Sequence, residues 1–311
     1  MKKFWKWFLI VVGVLLVIDI GAGMYFFHTA EVRDKKSFIS NDAKITKNDP
    51  LIKQKTWYKN VKKENWSMTS ATGDLKLKAY YIPAERPSDK TVILAHGFLQ
   101  SKDGEGGPAA MFHELGYNVL APDDRAHGDS QGKLIGYGWT DRRDYIKWMN
   151  KLLKIKGSHQ QLVMYGVSMG GATTMMVSGE SDVPTQVKAY IEDCGYTSVE
   201  DEITYQAKSM YNLPKWPLVP TVSLISKIRA GYDYSEASSL KQLAKNKKPM
   251  LFIHGSKDTF VPTKMVYQLY DATKGPREKY IVKGAGHAES LQTDYPKYKR
   301  TVEQFLNRYM E

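Results

Sequence analysis

Ser168 lies at the centre of a G-x-S-x-G pattern, residues 166–170, that can present a serine hydroxyl as a nucleophile. An apolar run precedes the pattern at 161–165 and a helical run follows it at 169–178, which predicts a strand, a sharp turn and a helix. Glycines suit both sides of such a turn because its backbone is strained and crowded. Since a serine hydroxyl is a weak nucleophile at neutral pH, a nearby base must accept its proton during attack.

Among seven histidines, His287 is the candidate base because it follows a predicted strand and precedes the last predicted helix, at the sheet edge where ligands bind. His254 ends a strand and is interpreted as structural, and His127 as a loop-shaping residue. A carboxylate must in turn orient the base. Asp258, on the loop after the strand at 250–254, is the favoured candidate, and Asp193, which ends the preceding strand, is the alternative.

Strand and helix patterns alternate along most of the chain, which predicts an α/β fold with a mostly parallel central sheet covered by helices on both faces. Predicted strands cover residues 75–82, 91–95, 118–121, 161–165, 187–191, 250–254 and 279–282. Predicted helices cover residues 109–115, 140–156, 169–178, 264–273 and 296–310.

The alternation fails at about 196–248, where two helical patterns separated by prolines predict a cap inserted into the domain. We expect a helical cap of this length to roof the site. An apolar inner face is expected from its aromatic and aliphatic residues, Tyr196, Tyr205, Met210, Tyr211, Trp216 and Leu218. The pattern does not assign individual substrate-binding residues.

The composition is that of an ordinary globular protein, with 42% hydrophobic and 25% charged residues. The net charge of +12 favours anionic surroundings, but the lysines are spread along the chain, which disfavours nucleic acid as a partner. Cys194 is the single cysteine, so no intrachain disulfide is possible, and it is interpreted as a small buried residue. Without a His-Glu-x-x-His motif or paired cysteines, neither a metal nor another cofactor is expected.

Residues 1–27 are predicted to be a membrane anchor, because three lysines precede an apolar run at 8–18 and apolar character resumes after Asp19. Asp19 would cost about 2.5–3.5 kcal/mol within a bilayer. The expected arrangement is an uncleaved signal anchor with the catalytic body outside the cytoplasm; the alternative is secretion after signal cleavage. Residues 28–70 are predicted to be a stalk and irregular structure, and residues 71–311 the catalytic domain.

The order of the candidates, Ser168, then Asp258, then His287, is that of α/β-hydrolases. From residue 91 to 310 the chain resembles the serine aminopeptidase-like branch of that superfamily, through the segments 94–98, 123–130, 166–171, 252–262 and 284–287. Together with the N-terminal segment, residues 136–139 and the cap, it is similar to bacterial membrane-anchored cell-surface hydrolases. The resemblance implies an oxyanion hole made by the backbone N–H groups of Phe98 and Met169.

These features predict a serine hydrolase that cleaves an ester, thioester or amide of an acyl or peptidyl substrate through an acyl-enzyme on Ser168. A carboxylesterase-like activity is favoured because an apolar cap suits an acyl group. A serine peptidase or aminopeptidase is the nearest alternative. A non-catalytic surface protein that uses the fold for binding is the alternative of another class.

Overall fold

A computed structural model describes residues 2–34 and 45–310 of the protein. Eight strands form one sheet in the order β1-β2-β4-β3-β5-β6-β7-β8, in which β2 is antiparallel to its neighbours β1 and β4 and all other neighbouring strands are parallel. The strands are β1 Glu64–Thr69, β2 Lys76–Ile82, β3 Lys90–Ala95, β4 Asn118–Pro122, β5 Gln161–Val167, β6 Val187–Asp193, β7 Met250–Gly255 and β8 Arg277–Val282. The predicted α/β fold with a mostly parallel sheet is confirmed.

Helices cover both faces of the sheet, so the central strands are buried on both sides, as expected for parallel strands. One apolar layer holds side chains of the helices α4, α5 and α9, and the opposite layer holds side chains of α2, α3 and α11. The helices are α1 Lys2–Glu31, α2 Ile52–Asn60, α3 Gly106–Glu114, α4 Asp141–Lys156, α5 Met169–Ser178, α6 Val199–Tyr211, α7 Leu218–Arg229, α8 Ser239–Leu243, α9 Lys264–Ala272, α10 Ser290–Thr293 and α11 Tyr295–Leu306.

The structure differs from the sequence prediction in the region 28–70, which was expected to be a stalk and irregular. Helix α1 continues to Glu31, and both α2 and the edge strand β1 fall inside this region. In β1 Trp66 is buried and Met68 partly buried, so only two apolar side chains face the core and the alternation is too short to reveal the strand. Residues 35–44, also assigned to the stalk, lie outside the described residues.

The predicted cap region lies between β6 and β7 and contains α6, α7 and the short α8. An isolated bridge between Ser198 and Ser238 closes its base. Its aromatic residues do not all face inward as expected. Tyr196 is buried, whereas Trp216 is 70% exposed, and the Tyr205 hydroxyl donates to the carbonyl of Thr259. Trp216 points outward because it lies on the loop between α6 and α7, where no element covers it.

Helix α1 is 30 residues long and is apolar enough to cross a membrane by length and composition. Nearly all of its apolar side chains between Phe4 and Ile20 are exposed, so it is not the core helix of a soluble domain. Its last turns dock on the cap: Phe27 is fully buried, and Asp19 accepts a hydrogen bond from the Thr221 hydroxyl of α7. The aspartate expected to be costly in a bilayer therefore has a partner.

Candidate active site

Ser168 occupies the tight turn between β5 and α5 with φ 57° and ψ −118°, a backbone conformation that non-glycine residues adopt only under strain. The glycines of the motif make this turn possible. A Cβ on Gly170 would lie 1.8 Å from the carbonyl oxygen of Ala95, and a Cβ on Gly166 would lie 2.1 Å from that of Gly170. The turn consequently places the serine hydroxyl at the carboxyl edge of the sheet.

The structure brings the three predicted side chains into one hydrogen-bonded chain. Ser168 Oγ lies 2.8 Å from His287 Nε2, and His287 Nδ1 lies 2.8 Å from Asp258 Oδ2. Because the carboxylate can only accept, Nδ1 donates to it and Nε2 is left to accept the serine proton. The ring of Phe260 packs against the imidazole with centroids 4.8 Å apart.

The carboxylate of Asp258 is held from both sides. Its Oδ1 accepts hydrogen bonds from the backbone N–H groups of Phe260 and Val261, each at 2.9 Å. Burial by itself would raise the pKa of Asp258, but hydrogen bonds and charge from His254 and His287 outweigh it and lower the pKa to about 2. The group is therefore ionised throughout the neutral range, as a partner of an imidazolium must be.

A second histidine also reaches this carboxylate, which the sequence did not predict. His254 Nε2 donates to the Val261 carbonyl at 2.9 Å and lies 3.3 Å from Asp258 Oδ2. Burial lowers its pKa, yet Asp258 and Glu192 outweigh that effect, and the net pKa is raised. The four-residue spacing to Asp258 was the available signal, but the strand assignment of His254 suggested only a structural role.

Asp193, the alternative carboxylate, does not hydrogen-bond to His287 but to residues behind the serine turn. Its two oxygens accept hydrogen bonds from Ser290 Oγ and from the hydroxyl of Tyr298, both at 2.9 Å. Its backbone carbonyl accepts the N–H of Ser168 at 2.8 Å. Asp193 thus fixes the backbone of the serine, while Asp258 is the carboxylate hydrogen-bonded to the histidine.

The loop after β3 lies beside the serine, where the resemblance places the oxyanion hole. A Cβ on Gly97 would lie only 3.6 Å from that of Ser168. His127 shapes this loop: its Nε2 accepts the N–H of Leu99 at 3.1 Å, and burial lowers its pKa to about 3, which keeps the ring neutral. The ring of Phe98 stacks on Tyr137, with centroids 5.3 Å apart.

Two pockets meet at Ser168. One runs beneath the cap and is almost entirely apolar, lined by side chains of α6 and α7 and by Phe26, Thr29 and Ala30 of α1. The other is more polar and opens toward α2, α3 and α10, with Lys55 and Gln292 on its wall. A substrate held across Ser168 would therefore meet an apolar wall on one side and a polar wall on the other.

Cys194 lies behind the site, with its sulfur within 4.8 Å of the ligand atoms of Asp258 and His287. Among the residues that the structure describes, these three side chains are close enough together to bind one metal ion. A thiolate would be needed to bind a cation there, but burial raises the pKa of the Cys194 thiol well above its usual value. The donor set therefore fits the Asp258–His287 hydrogen bond better than a metal ion.

The sheet order, the serine turn and the cap together define an α/β-hydrolase, and the comparisons with known proteins agree. A sequence model of the prolyl oligopeptidase family matches residues 109–311, and the chain belongs to that family. The esterase Pf2001 of Pyrococcus furiosus has a similar solved structure, with a TM-score of 0.66 and 25% identity, covering 88% of this chain and 99% of the esterase.

Two curated relatives extend the comparison. The protein YqkD of Bacillus subtilis (strain 168) is 31% identical over 303 residues, which is 97% of either chain. The lysophosphatidylserine lipase ABHD12 of Danio rerio is 26% identical over 200 residues, covering 62% of this chain and 49% of the lipase. The protein is therefore a serine hydrolase of the α/β fold with esterase-like structural neighbours.

Proposed function

We propose that the protein cleaves carboxylic esters through an acyl-enzyme on Ser168, with His287 as general base and Asp258 as the residue that orients it. The observation that carries this proposal is the unbroken hydrogen-bond chain from Ser168 Oγ through His287 to Asp258, with both links at 2.8 Å. Such a chain is the arrangement that converts a weak hydroxyl into a nucleophile.

In the first half-reaction, Ser168 Oγ attacks the ester carbonyl while His287 Nε2 accepts its proton. Asp258 stabilises the imidazolium that forms. His287 then gives the proton to the departing alcohol as the carbon–oxygen bond breaks, leaving the acyl group on Ser168. In the second half-reaction His287 deprotonates a water molecule, which releases the acid and restores the serine.

Negative charge on the carbonyl oxygen needs donors placed in advance. We assign this role to the backbone N–H groups of Phe98 and Met169. Met169 begins α5, and the first N–H groups of a helix have no intrahelical acceptor and favour negative charge. The closeness of Gly97 to Ser168 supports placing the Phe98 segment opposite the serine. Such donors are worth several kcal/mol in the transition state.

A fluorophosphonate probe tests the assignment in the full-length protein. We expect stoichiometric labelling and hydrolysis of p-nitrophenyl acetate, both lost in Ser168→Ala, with at least a 1000-fold fall in kcat. Ser178→Ala is the matched control, because that buried hydroxyl only donates to the carbonyl of Met175. Absence of labelling in folded wild-type protein would favour the non-catalytic binding alternative.

A serine peptidase is the second candidate, since the family match is to prolyl oligopeptidases. An aminopeptidase needs an acidic group for the substrate ammonium, and Glu202 of α6 lies on the apolar pocket wall. However, burial raises the pKa of Glu202 to about 8, so this carboxyl is neutral at pH 7 and suits an uncharged acyl group. Comparing p-nitrophenyl esters with aminoacyl p-nitroanilides separates the two, and faster amide cleavage would reverse our ranking.

We also propose that residues 1–27 remain attached as a membrane anchor and that residues 71–311, with the cap at about 196–248, act outside the cytoplasm. Retention is supported by the docking of α1 on the cap: Asp19 accepts a hydrogen bond from the Thr221 hydroxyl, and the ring of Phe26 packs against Tyr211 with centroids 5.2 Å apart. Cleavage after residue 27 would remove the buried Phe27 from this interface. Protease accessibility in intact and opened cells would establish which side holds the catalytic domain.

A further inference from the structure

The apolar pocket beside Ser168 is closed on one side by helix α1. Phe26, Thr29 and Ala30 of α1 lie on its wall, together with residues of α6 and α7. The same helix that is apolar enough to cross a membrane therefore forms part of the wall next to the reacting serine. A pocket built in this way joins the catalytic centre to the segment that would meet the bilayer.

The α1 wall is fixed to the cap by close packing. A Cβ on Gly23 would lie 2.7 Å from Thr221 Cγ2 and 3.0 Å from Ile225 Cδ1, so a larger residue there would have to displace these side chains, and glycine favours the close approach of the two helices. One turn further on, the ring of Phe26 packs edge-on against Tyr211, with centroids 5.2 Å apart. Tyr211 and its neighbour Met210 are each about 40% exposed, which marks the outer rim of the pocket beside α1.

The height of this rim relative to a bilayer follows from helix geometry. A hydrocarbon layer of about 30 Å takes about 20 helical residues, so a span that starts at Phe4 ends near Gly23. Phe26 is then only about 5 Å beyond the apolar layer. Trp216, 70% exposed, lies on the loop that leads into α7, the cap helix that contacts α1, and tryptophan favours this interfacial zone.

We propose that the substrate is a long-chain acyl ester resident in the bilayer, whose acyl chain enters the apolar pocket past Phe26 and lies between the cap and α1. This inference rests on the proposed esterase function. The more polar pocket on the other side of Ser168, with Lys55 and Gln292 on its wall, receives the alcohol part. Ser168 attacks the carbonyl, His287 returns the proton to the departing alcohol, and water then releases the fatty acid.

The test uses the full-length protein in vesicles of diether phosphatidylcholine, which contains no ester to hydrolyse. The substrates are p-nitrophenyl palmitate, dissolved in the vesicles, and p-nitrophenyl acetate. We expect the wild type to cleave both, and the palmitate rate to follow the mole fraction of palmitate in the bilayer. A palmitate rate that follows bulk concentration instead, or cleavage of acetate alone, would overturn the inference and leave the esterase proposal standing.

Ala30→Phe adds a ring on the pocket wall and should lower the ratio of palmitate to acetate kcat/KM at least tenfold. Met24→Phe is the matched control, because Met24 is on the same helix, is exposed and lies outside the pocket; both rates should stay at the wild-type level. An unchanged ratio in folded Ala30→Phe would refute the inference. If the wild type cleaves neither ester, the proposed function itself fails, which is a different result.

Discussion

At the scale of single residues, the carboxylate of Asp258 contacts two histidines that differ in exposure and in their other partners. His287 is partly exposed and reaches the serine, whereas His254 is fully buried and holds the loop from behind through the carbonyl of Val261. Because His254 contacts neither the serine nor either pocket, we assign it a positioning role: it holds the carboxylate in place and stabilises its ionised form.

His254→Phe should lower kcat for p-nitrophenyl acetate about tenfold, equivalent to roughly 1.4 kcal/mol, with KM within about twofold of the wild type. The phenyl ring keeps the packing volume but removes the polar contact with Asp258. Without the hydrogen bond from His254, the charge on Asp258 is less stabilised and Asp258 favours the protonated form of His287 more strongly, so the acid limb of the kcat/KM profile should move to higher pH. A lower melting temperature with an unchanged pH profile would show that His254 is only structural.

The positions of the candidate catalytic residues were predictable because each follows a strand whose pattern is clear. Ser168, Asp258 and His287 come after β5, β7 and β8, and parallel strands bring their carboxyl ends to one edge. The contact of His254 was not predictable, because its side chain direction depends on how the loop at 256–262 folds back over the strand. That loop geometry is a tertiary property which local sequence patterns do not specify.

At the scale of elements, the serine turn depends on glycines that let β3 and α5 approach each other. Gly170→Ala would place a methyl group 1.8 Å from the carbonyl oxygen of Ala95, which rigid backbone cannot accommodate. We expect the free energy of unfolding to fall by about 3 kcal/mol or more, measured by chemical denaturation. Gly97→Ala is the control, since its nearest atoms lie at 3.6 Å and the protein should fold normally. Equal stability of both variants would contradict this account.

The elements that the sequence did not predict share a physical reason. Helix α2 buries Tyr58 and partly buries Trp57, and β1 buries Trp66 and partly buries Met68, so neither has a run of apolar positions long enough to reveal an element. Both are stabilised by tertiary contacts: α2 packs on α3, and β1 pairs with β2. The outward direction of Trp216 has the same origin, since an aromatic residue in a cap sequence does not specify which side it faces.

At the scale of the whole molecule, the body buries several carboxyl groups whose pKa values are raised by burial. The pKa is raised to about 7 or 8 in each of Glu105, Asp124, Asp141, Glu192 and Glu202. Each group holds its proton more tightly in the folded protein than in the unfolded chain. The unfolded chain loses these protons near pH 4, whereas the folded protein keeps them up to about pH 7 or 8, so folding stability falls as the pH rises between these values.

The melting temperature of the full-length protein in detergent should consequently fall by about 5 °C or more between pH 6 and pH 9, measured by differential scanning fluorimetry. Asp258 does not oppose this trend, because its lowered pKa of about 2 contributes stability that is lost only in acid. Glu192→Gln should reduce the fall of melting temperature with pH, because the amide has no proton to lose in this range. The N–H of Gly195 donates to the Glu192 carboxylate at 2.8 Å in the wild type, and the amide oxygen can still accept this hydrogen bond. Glu85→Gln, on the exposed surface, should keep the wild-type slope. A melting temperature that rises toward pH 9 would mean that these carboxyls are ionised in the folded protein and compensated by rearrangement around them.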